Sequence, residues 1–227
     1  MSSTHMRGLP RLCVDVVRLG DGRVTSGYLN IGSPIPIVAR NLTNIQDGIN
    51  FAHGGTGVFD THVDGPNLTA QIDFFEELIQ SNLFTKEDIH YSYVLVNAGA
   101  NDYTTHIRTA GFFGSSDILN YTSTLVNQIK TDLRRFISLG LRKVAVATLQ
   151  PVGRLPLITL VNLHMSCIDL LNKVVSENHN KLLNNAIDRL NMEARNHMFI
   201  PLDLYKAMVS NIDIMMKKAQ DDIKHLS

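Results

Sequence analysis

The sequence predicts an α/β fold, a three-layer sandwich in which helices cover a mostly parallel central sheet, with residues 1–227 forming a single domain. Two observations indicate this class. Short apolar runs alternate with longer segments whose apolar residues recur at helical spacing, which is typical of strand–helix–strand units. Two of the apolar runs open into glycine-rich polar segments, as strands do where their carboxyl ends form a binding edge. A chain of this length folds by default as one domain.

The helices are predicted from apolar periodicity and from their end signals. The first begins at Asn67, a favoured N-cap residue, and ends near Gln80. The second covers residues 117–139 and is followed by Gly140, the residue type that commonly ends helices in a left-handed conformation. A third helical pattern covers residues 160–194. In each segment the apolar residues return every three or four positions, so they share one face.

The strands are predicted from short apolar runs. Residues 93–96 form a buried strand, residues 143–149 form the next and end before Pro151, and residues 198–202 form a third. Another helix is predicted from Tyr205 onward. Strands and helices therefore alternate through most of the chain, which favours parallel pairing.

The stretch from Val94 to Tyr103 is the most informative about function, and it reads Val-Leu-Val-Asn-Ala-Gly-Ala-Asn-Asp-Tyr. Its apolar half predicts a buried strand that delivers polar residues to the carboxyl edge, where open α/β sheets bind ligands. Asn101 is then placed to donate a hydrogen bond from its amide to a reacting group. The alternative is an ordinary turn, since Gly, Asn and Asp are common after strands.

A second apolar stretch opens into a glycine-rich loop at residues 48–60, Gly-Ile-Asn-Phe-Ala-His-Gly-Gly-Thr-Gly-Val-Phe-Asp. Glycines let a ligand approach the backbone amides closely. The loop is not a dinucleotide fingerprint, because Asp60 occupies the place of the third glycine, and it is not a P-loop, because no Gly-Lys-Ser/Thr follows.

Together these segments resemble the plant esterase/lipase branch of the GDSL, or SGNH, hydrolase family. The resemblance extends from about Asp21 to about Ser210. Its motifs are residues 21–24 (Asp-Gly-Arg-Val), 50–57 (Asn-Phe-Ala-His-Gly-Gly-Thr-Gly), 71–75 (Gln-Ile-Asp-Phe-Phe), 99–103 (Gly-Ala-Asn-Asp-Tyr), 149–156 (Leu-Gln-Pro-Val-Gly-Arg-Leu-Pro) and 202–205 (Leu-Asp-Leu-Tyr). The resemblance implies the SGNH hydrolase fold, which is flavodoxin-like.

The resemblance also implies a reaction, acyl transfer from a small-molecule ester or lipid. A serine attacks the carbonyl carbon, and the oxyanion is held by the serine N–H, the Gly54 N–H and the Asn101 side-chain amide. Asp102 is expected to fix the loop geometry rather than to act chemically. His53 either lines the pocket or is an ordinary polar surface residue.

The catalytic nucleophile and base of that family are not evident in this sequence. No Gly-Asp-Ser-Leu block is present, and Gly22 stands where the serine of the tempting Gly20-Asp21-Gly22 would be. No Gly-x-Ser-x-Gly elbow occurs either. Four serines lie in Gly- or Pro-containing stretches and are expected to be turn residues rather than nucleophiles: Ser26, Ser33, Ser115 and Ser116.

The family's terminal Asp-x-x-His block is matched in spacing only by Asp222 and His225. The alternative for this pair is a solvated helix end, because the flanking residues do not resemble the family. The simplest interpretation is a truncated and catalytically incomplete ester hydrolase. The competing hypothesis is a non-catalytic α/β binding protein that uses the Gly54/Asn101 pocket for a carboxylate or carbonyl ligand.

Composition argues against some classes of binding partner. The net charge is zero, which argues against nucleic-acid binding driven by bulk charge, and no run of 18 apolar residues predicts a membrane span. No cofactor is expected. His62 and Asp64 have loose metal-like spacing without a third ligand, so no metal is predicted.

Localisation is predicted from the resemblance, which implies an extracellular protein for the complete family member, whereas residues 1–20 contain no signal-peptide core. Three glycosylation sequons begin at Asn41, Asn67 and Asn120. The family often has a disulfide partner where Cys167 stands, but Arg154 replaces the expected second cysteine, and pairing of Cys167 with Cys13 has no support from spacing.

Overall fold

The protein is described by a computed structural model that covers residues 14–15, 34–39, 48–110, 115–155 and 169–224. Its strands are β1 (Val14–Asp15), β2 (Ile35–Pro36), β3 (Ile49–Asn50), β4 (Tyr93–Asn97), β5 (Lys143–Ala147) and β6 (Phe199–Leu202). Its helices are α1 (Leu68–Gln80), α2 (Lys86–Tyr91), α3 (Ala100–Ala110), α4 (Ser115–Ser138), α5 (Asp169–Leu171), α6 (Asn178–Ala194) and α7 (Leu204–Lys224). A π-helical segment, Asn172–Glu177, joins α5 to α6.

The strands pair in parallel throughout the described part of the chain, which confirms the predicted α/β class. One sheet has the order β1-β4-β5-β6, and β2 pairs with β3. Val96 on β4 is opposite Val14 on β1 and Val146 on β5, and Ala147 is opposite Leu202 on β6. The carboxyl ends of these four strands therefore lie at one edge, and the described segments that follow β4, β5 and β6 begin there.

The predicted ends of two helices are confirmed. Asn67 caps α1 by accepting a hydrogen bond on its side-chain oxygen from the Ala70 backbone N–H over 3.0 Å. After α4, Gly140 has φ of +86°. Its N–H donates to Ile137 O, and the next N–H, of Leu141, donates to Phe136 O. These two bonds form the Schellman arrangement that satisfies the last carbonyls of a helix.

Four features differ from the sequence-based prediction. Ser115 and Ser116 were expected in a turn but are the first residues of α4, while Ser26 and Ser33 lie outside the described residues. Helix α2 was not predicted, although Thr85 and Asp88 form a capping box that starts it. Asn101 was expected in a loop but lies in the first turn of α3, because Gly99, with φ of +113°, lets the chain enter the helix almost directly from β4. The predicted helix over residues 160–194 is interrupted by the π-helical segment, and its first nine residues lie outside the described chain.

Aromatic packing joins the glycine-rich loop to the helices. The Phe75 ring on α1 is fully buried, and its centroid lies 6.1 Å from Phe51, 6.4 Å from Phe84 and 6.5 Å from Phe136. Aromatic pairs at such distances add about 0.5–1.5 kcal/mol beyond the burial of their area. Phe51 begins the loop that follows β3, so this packing fixes where the loop starts.

Strand β1 lies at one edge of the four-stranded sheet. The family resemblance implies a first strand that carries the nucleophile, so a chain without that block is expected to have a gap in its sheet, and hence poor solubility, unless residues 12–17 fill the gap. In the structure Val14 and Asp15, the two described residues of that segment, pair with Val96 and Asn97 of β4. Within the described residues, none of the helices is both long and apolar enough to span a bilayer.

Candidate functional site

The glycine-rich loop after β3 and the start of α3 are joined at the carboxyl edge of the sheet. The Asn101 side-chain amide donates a hydrogen bond to the Thr56 backbone oxygen over 2.8 Å. One amide hydrogen makes this bond, and the second is left for another acceptor. Thr56 itself is buried, whereas Asn101 is partly exposed. The bond fixes the orientation of the amide of a residue that is partly open to solvent.

Asp102 makes a second and stronger connection between the same two segments. One carboxylate oxygen accepts a hydrogen bond from the Val58 N–H over 3.0 Å, and the other accepts from the Phe59 N–H over 2.8 Å. The Asp102 side chain is 1% exposed. At Gly57, an added Cβ would lie 2.5 Å from a carboxylate oxygen of Asp102. The loop therefore needs glycine at this position because the carboxylate occupies the space.

Burial raises the pKa of Asp102 to about 6, because the charged carboxylate loses its hydration. The hydrogen bonds from Phe59 and Val58 oppose this by stabilising the charged form. The desolvation effect is the larger of the two. Asp102 was expected to fix the geometry of the loop, and both of its carboxylate oxygens do accept hydrogen bonds from backbone N–H groups of the loop.

Tyr103 connects the same turn of α3 to two other helices. Its side chain is fully buried, and its hydroxyl lies 3.0 Å from Thr122 Oγ1 on α4 and 3.0 Å from His179 Nδ1 on α6. Three consecutive residues, Asn101, Asp102 and Tyr103, thus hold the start of α3 against three parts of the protein. The burial of His179 lowers its pKa to about 3, so its imidazole is neutral at physiological pH.

Gly54 lies in an exposed turn of the glycine-rich loop. The turn is closed by the His53 carbonyl oxygen, which accepts from the Thr56 N–H at 3.3 Å and from the Thr56 hydroxyl at 2.9 Å. The His53 ring is held by a 2.9 Å contact between Nδ1 and Phe51 O. Among the described residues, no hydrogen bond engages the Gly54 N–H. The structure therefore brings the Gly54 turn and Asn101 to one edge through Thr56.

The segment after β5 is held by the helix that follows it in the sequence. Asn180 binds both backbone groups of Leu149, accepting from the N–H over 2.7 Å and donating to the oxygen over 2.9 Å. Ser176 accepts from the Val152 N–H, and Asn172 accepts from the Gly153 N–H. These polar residues recur every four positions on a buried helix face. Sequence reasoning did not identify them, although polar residues at that spacing within an apolar pattern are a usable signal.

A groove of about 360 Å³ lies at the same edge, beyond β5 and β6. Its lining includes Glu177 and Lys181 from the helix side and Asp203 and Tyr205 after β6. The Tyr205 hydroxyl donates to a Glu177 carboxylate oxygen over 3.1 Å. The groove is therefore held by contacts between the two segments that border it.

Comparison with known protein families identifies this arrangement. The family model described as GDSL-like Lipase/Acylhydrolase matches residues 13–227. The chain belongs to the GDSL family. The resemblance of its motifs to the plant branch is confirmed, because curated Arabidopsis thaliana members of this family align with most of the chain.

Three of these relatives show the extent of the GDSL similarity. GDSL esterase/lipase At5g03610 is 38% identical over 206 residues, which is 85% of this chain and 55% of the relative. GDSL esterase/lipase At3g09930 is 34% identical over 202 residues, and GDSL esterase/lipase At2g36325 is 34% identical over 205 residues; each alignment covers 85% of this chain and 56% of the relative. The chain thus spans a little over half the length of the relatives it matches.

The remaining GDSL site predictions are only partly within the described chain. The backbone of Asp222 lies in α7, while His225 lies outside the described residues, so the structure does not test this pair. Cys13, Cys167 and Asn41 also lie outside them. Within the described ranges, no group of three His, Cys, Asp or Glu side chains is placed to hold a metal ion.

Proposed function

We propose that this chain carries the oxyanion-binding half of a GDSL-type carboxylic ester hydrolase. In this proposal the Gly54 N–H and the Asn101 side-chain amide donate hydrogen bonds to the oxygen of a small-molecule acyl ester or lipid as negative charge develops on it. The observation that carries the proposal is the hydrogen bond from Asn101 to Thr56 O, two residues after Gly54. It holds one candidate donor in a fixed orientation next to the turn that contains the other.

The proposed chemistry is acyl transfer through a serine. The serine oxygen forms a bond to the ester carbonyl carbon while its proton passes to a base, and the carbonyl π electrons move to the oxygen, which becomes the oxyanion. Collapse of this intermediate expels the alcohol, which takes the proton from the base, and water then hydrolyses the acyl-serine to release the acid. Fixed donors stabilise the oxyanion without reorganising as the charge forms, and one such donor is typically worth about 100- to 1000-fold in rate. The nucleophile and base are the parts that the sequence does not provide in recognisable form, so we propose that this chain is catalytically incomplete.

Carboxylate binding tests the donor pair without requiring turnover. Butyrate is a suitable probe because its carboxylate resembles both the oxyanion and the acid product of ester hydrolysis. We expect butyrate to shift the ¹H–¹⁵N NMR signals of the Gly54 backbone amide and the Asn101 side-chain amide along one saturable binding curve. Asn101→Ala should weaken binding at least about tenfold, because it removes a hydrogen bond to a charged group.

The matched control for this experiment is Asn120→Ala. Asn120 is an exposed residue on α4, and among the described residues its side chain makes no hydrogen bond. This variant should bind butyrate like the unmodified chain. The proposal fails if butyrate shifts neither the Gly54 signal nor the Asn101 signal, or if Asn101→Ala binds butyrate with unchanged affinity.

We further propose that the complete protein acts outside the cell, as its family resemblance implies. The side chain of Asn120, which begins one of the three sequons, is exposed on α4. Protein isolated from its native tissue should therefore lose mass on treatment with an N-glycosidase. An unchanged mass at all three sequons would count against the proposal.

A further inference from the structure

His179 is fully buried near the candidate site, and packing alone does not explain why a polar residue occupies this position. Its side chain is 0% exposed, and among the described residues its Nε2 atom has no hydrogen-bond partner. Burying a polar atom without a partner destabilises a fold, so an apolar residue would fill this position more favourably. The polar contact that His179 does make is with the Tyr103 hydroxyl, through Nδ1.

The number of available protons fixes the tautomer of His179. A chain of three contacts joins Ile118 O to Thr122 Oγ1 over 2.7 Å, Thr122 Oγ1 to Tyr103 OH over 3.0 Å, and Tyr103 OH to His179 Nδ1 over 3.0 Å. Three hydrogen bonds need three protons, and the two hydroxyl groups supply two. The third proton must therefore be on His179 Nδ1.

The opposite tautomer leaves one contact without a proton. If Nδ1 were the acceptor, the Tyr103 proton would be used there, and the Thr122 proton would have to serve both Tyr103 and Ile118 O. One pair of oxygen atoms, at 2.7 or 3.0 Å, would then face each other as two acceptors. The Nδ1–H tautomer avoids this, and it leaves the Nε2 lone pair as an acceptor in the core.

His179 also touches the other side of the turn that carries Asn101. A Cβ added at Gly99 would lie 3.3 Å from Cε1 of His179 and 3.8 Å from Nε2, so the ring packs directly against the Gly99 backbone. Gly99 precedes Asn101 by two residues, and Tyr103 follows it by two. One rigid ring therefore contacts both flanks of the turn.

We propose that His179 is a positioning residue for the Asn101 amide, acting as a neutral Nδ1–H imidazole that holds Tyr103 on one flank and Gly99 on the other. The role rests on the proposed oxyanion function of Asn101. His179 does not touch the ligand. It restricts the first turn of α3 so that the Asn101 amide keeps the orientation set by its bond to Thr56.

The first test measures the tautomer in the unmodified chain. A long-range ¹H–¹⁵N correlation spectrum of the imidazoles at neutral pH should show His179 protonated at Nδ1 and bare at Nε2. This measurement needs neither ligand nor turnover, so its result is independent of the proposed hydrolase function. A proton on Nε2 would overturn the proposal.

The second test uses variants of His179 and the butyrate probe. His179→Phe keeps an aromatic ring but removes the donor to Tyr103. We expect it to shift the Asn101 side-chain signals and to weaken butyrate binding about three- to tenfold, a typical coupling between neighbours in one network. His179→Asn has an amide near the place of Nδ1 and should restore part of the affinity. His90→Phe, at an exposed helix position, is the control and should change neither quantity.

The outcomes separate this proposal from the hydrolase proposal. If a folded His179→Phe leaves the Asn101 signals and butyrate affinity unchanged, the positioning role is wrong even though the oxyanion site stands. If the unmodified chain shows no butyrate effect at Gly54 and Asn101, the oxyanion proposal itself fails. If His179→Phe does not fold, Tyr103→Phe removes the same contact, together with the bond to Thr122, and should also shift the Asn101 signals; unchanged signals would overturn the proposal.

Discussion

The Asn101 side chain and the Thr56 carbonyl oxygen, 45 positions apart in the sequence, are joined by a 2.8 Å hydrogen bond. This bond couples the first turn of α3 to the glycine-rich loop after β3. Asp102 adds two further bonds between the same segments, to Val58 and Phe59. The two motifs that resemble a hydrolase are therefore parts of one structural unit. A substitution in either motif should change the conformation of the other.

Removing the Asp102 carboxylate is expected to destabilise the fold. Asp102→Ala leaves the N–H groups of Val58 and Phe59 without their acceptor, which should lower the free energy of unfolding by about 1–3 kcal/mol. Urea denaturation at pH 4, where the raised pKa of Asp102 makes its stabilising contribution largest, measures this change. Asp117→Ala is the control, since the Asp117 side chain is 61% exposed in its pair with His106, and it should cost at most about 1 kcal/mol. Equal effects of the two substitutions would contradict the structural role of Asp102.

The stabilising contribution of Asp102 should fall as pH rises. Its pKa is raised from 3.8 to about 6 in the folded state, so between these values the folded protein binds more protons than the unfolded chain. The free energy of unfolding then decreases with rising pH. We expect the stability difference between the unmodified chain and Asp102→Ala to shrink by about 1–3 kcal/mol from pH 4 to pH 7. A difference that grows over this range would show that the carboxylate is stabilised in its charged form.

Gly57→Ala tests the close approach of the loop to Asp102. The new Cβ would lie 2.5–2.7 Å from the carboxylate atoms, which must then move, and such overpacking typically costs about 1–3 kcal/mol. In an Asp102→Ala background the obstructing carboxylate is gone, so the same substitution should cost much less. Unfolding free energies of the two single variants and the double variant measure the coupling. If the changes in unfolding free energy of the two single variants simply add in the double variant, residue 57 and Asp102 are not in contact.

The 227-residue chain is expected not to hydrolyse short-chain p-nitrophenyl esters above background, and not to be labelled by fluorophosphonates, because both need an activated serine. The assay is run on the purified chain and on Asn101→Ala. If the chain is active and Asn101→Ala loses about 100- to 1000-fold of the rate, the chain is a working hydrolase. The nucleophile would then be one of the four serines in Gly- or Pro-containing stretches, and Asp222 and His225 would become the leading candidates for its partners.

Much of the fold was predictable because its signals are local. The cap at Asn67, the stop at Gly140 and the apolar runs of β4, β5 and β6 depend on neighbours within a few residues, and they appear where the sequence predicts them. The start of α3 was not predicted. Gly-Ala-Asn-Asp is common in turns, and only the contacts that Asn101, Asp102 and Tyr103 make with distant segments indicate that the helix begins there.

The site was predictable only in part for the same physical reason. Gly54 and Asn101 could be selected because glycine-rich and polar segments follow apolar runs. The role of His179 depends on contacts with Tyr103, 76 residues away, and with Gly99, so the sequence near His179 contains no sign of it. Likewise, the need for glycine at position 57 is set by a carboxylate that only folding brings beside it.

A crystal structure of this chain with butyrate would test the central claim most directly. If Gly54 and Asn101 form an oxyanion-binding pair, one carboxylate oxygen should lie about 2.7–3.1 Å from both the Gly54 nitrogen and Asn101 Nδ2. The Asn101 amide should keep its bond to Thr56 O in the complex. Butyrate bound elsewhere, or a separation of Gly54 N and Asn101 Nδ2 too wide for one oxygen to bridge, would contradict the account.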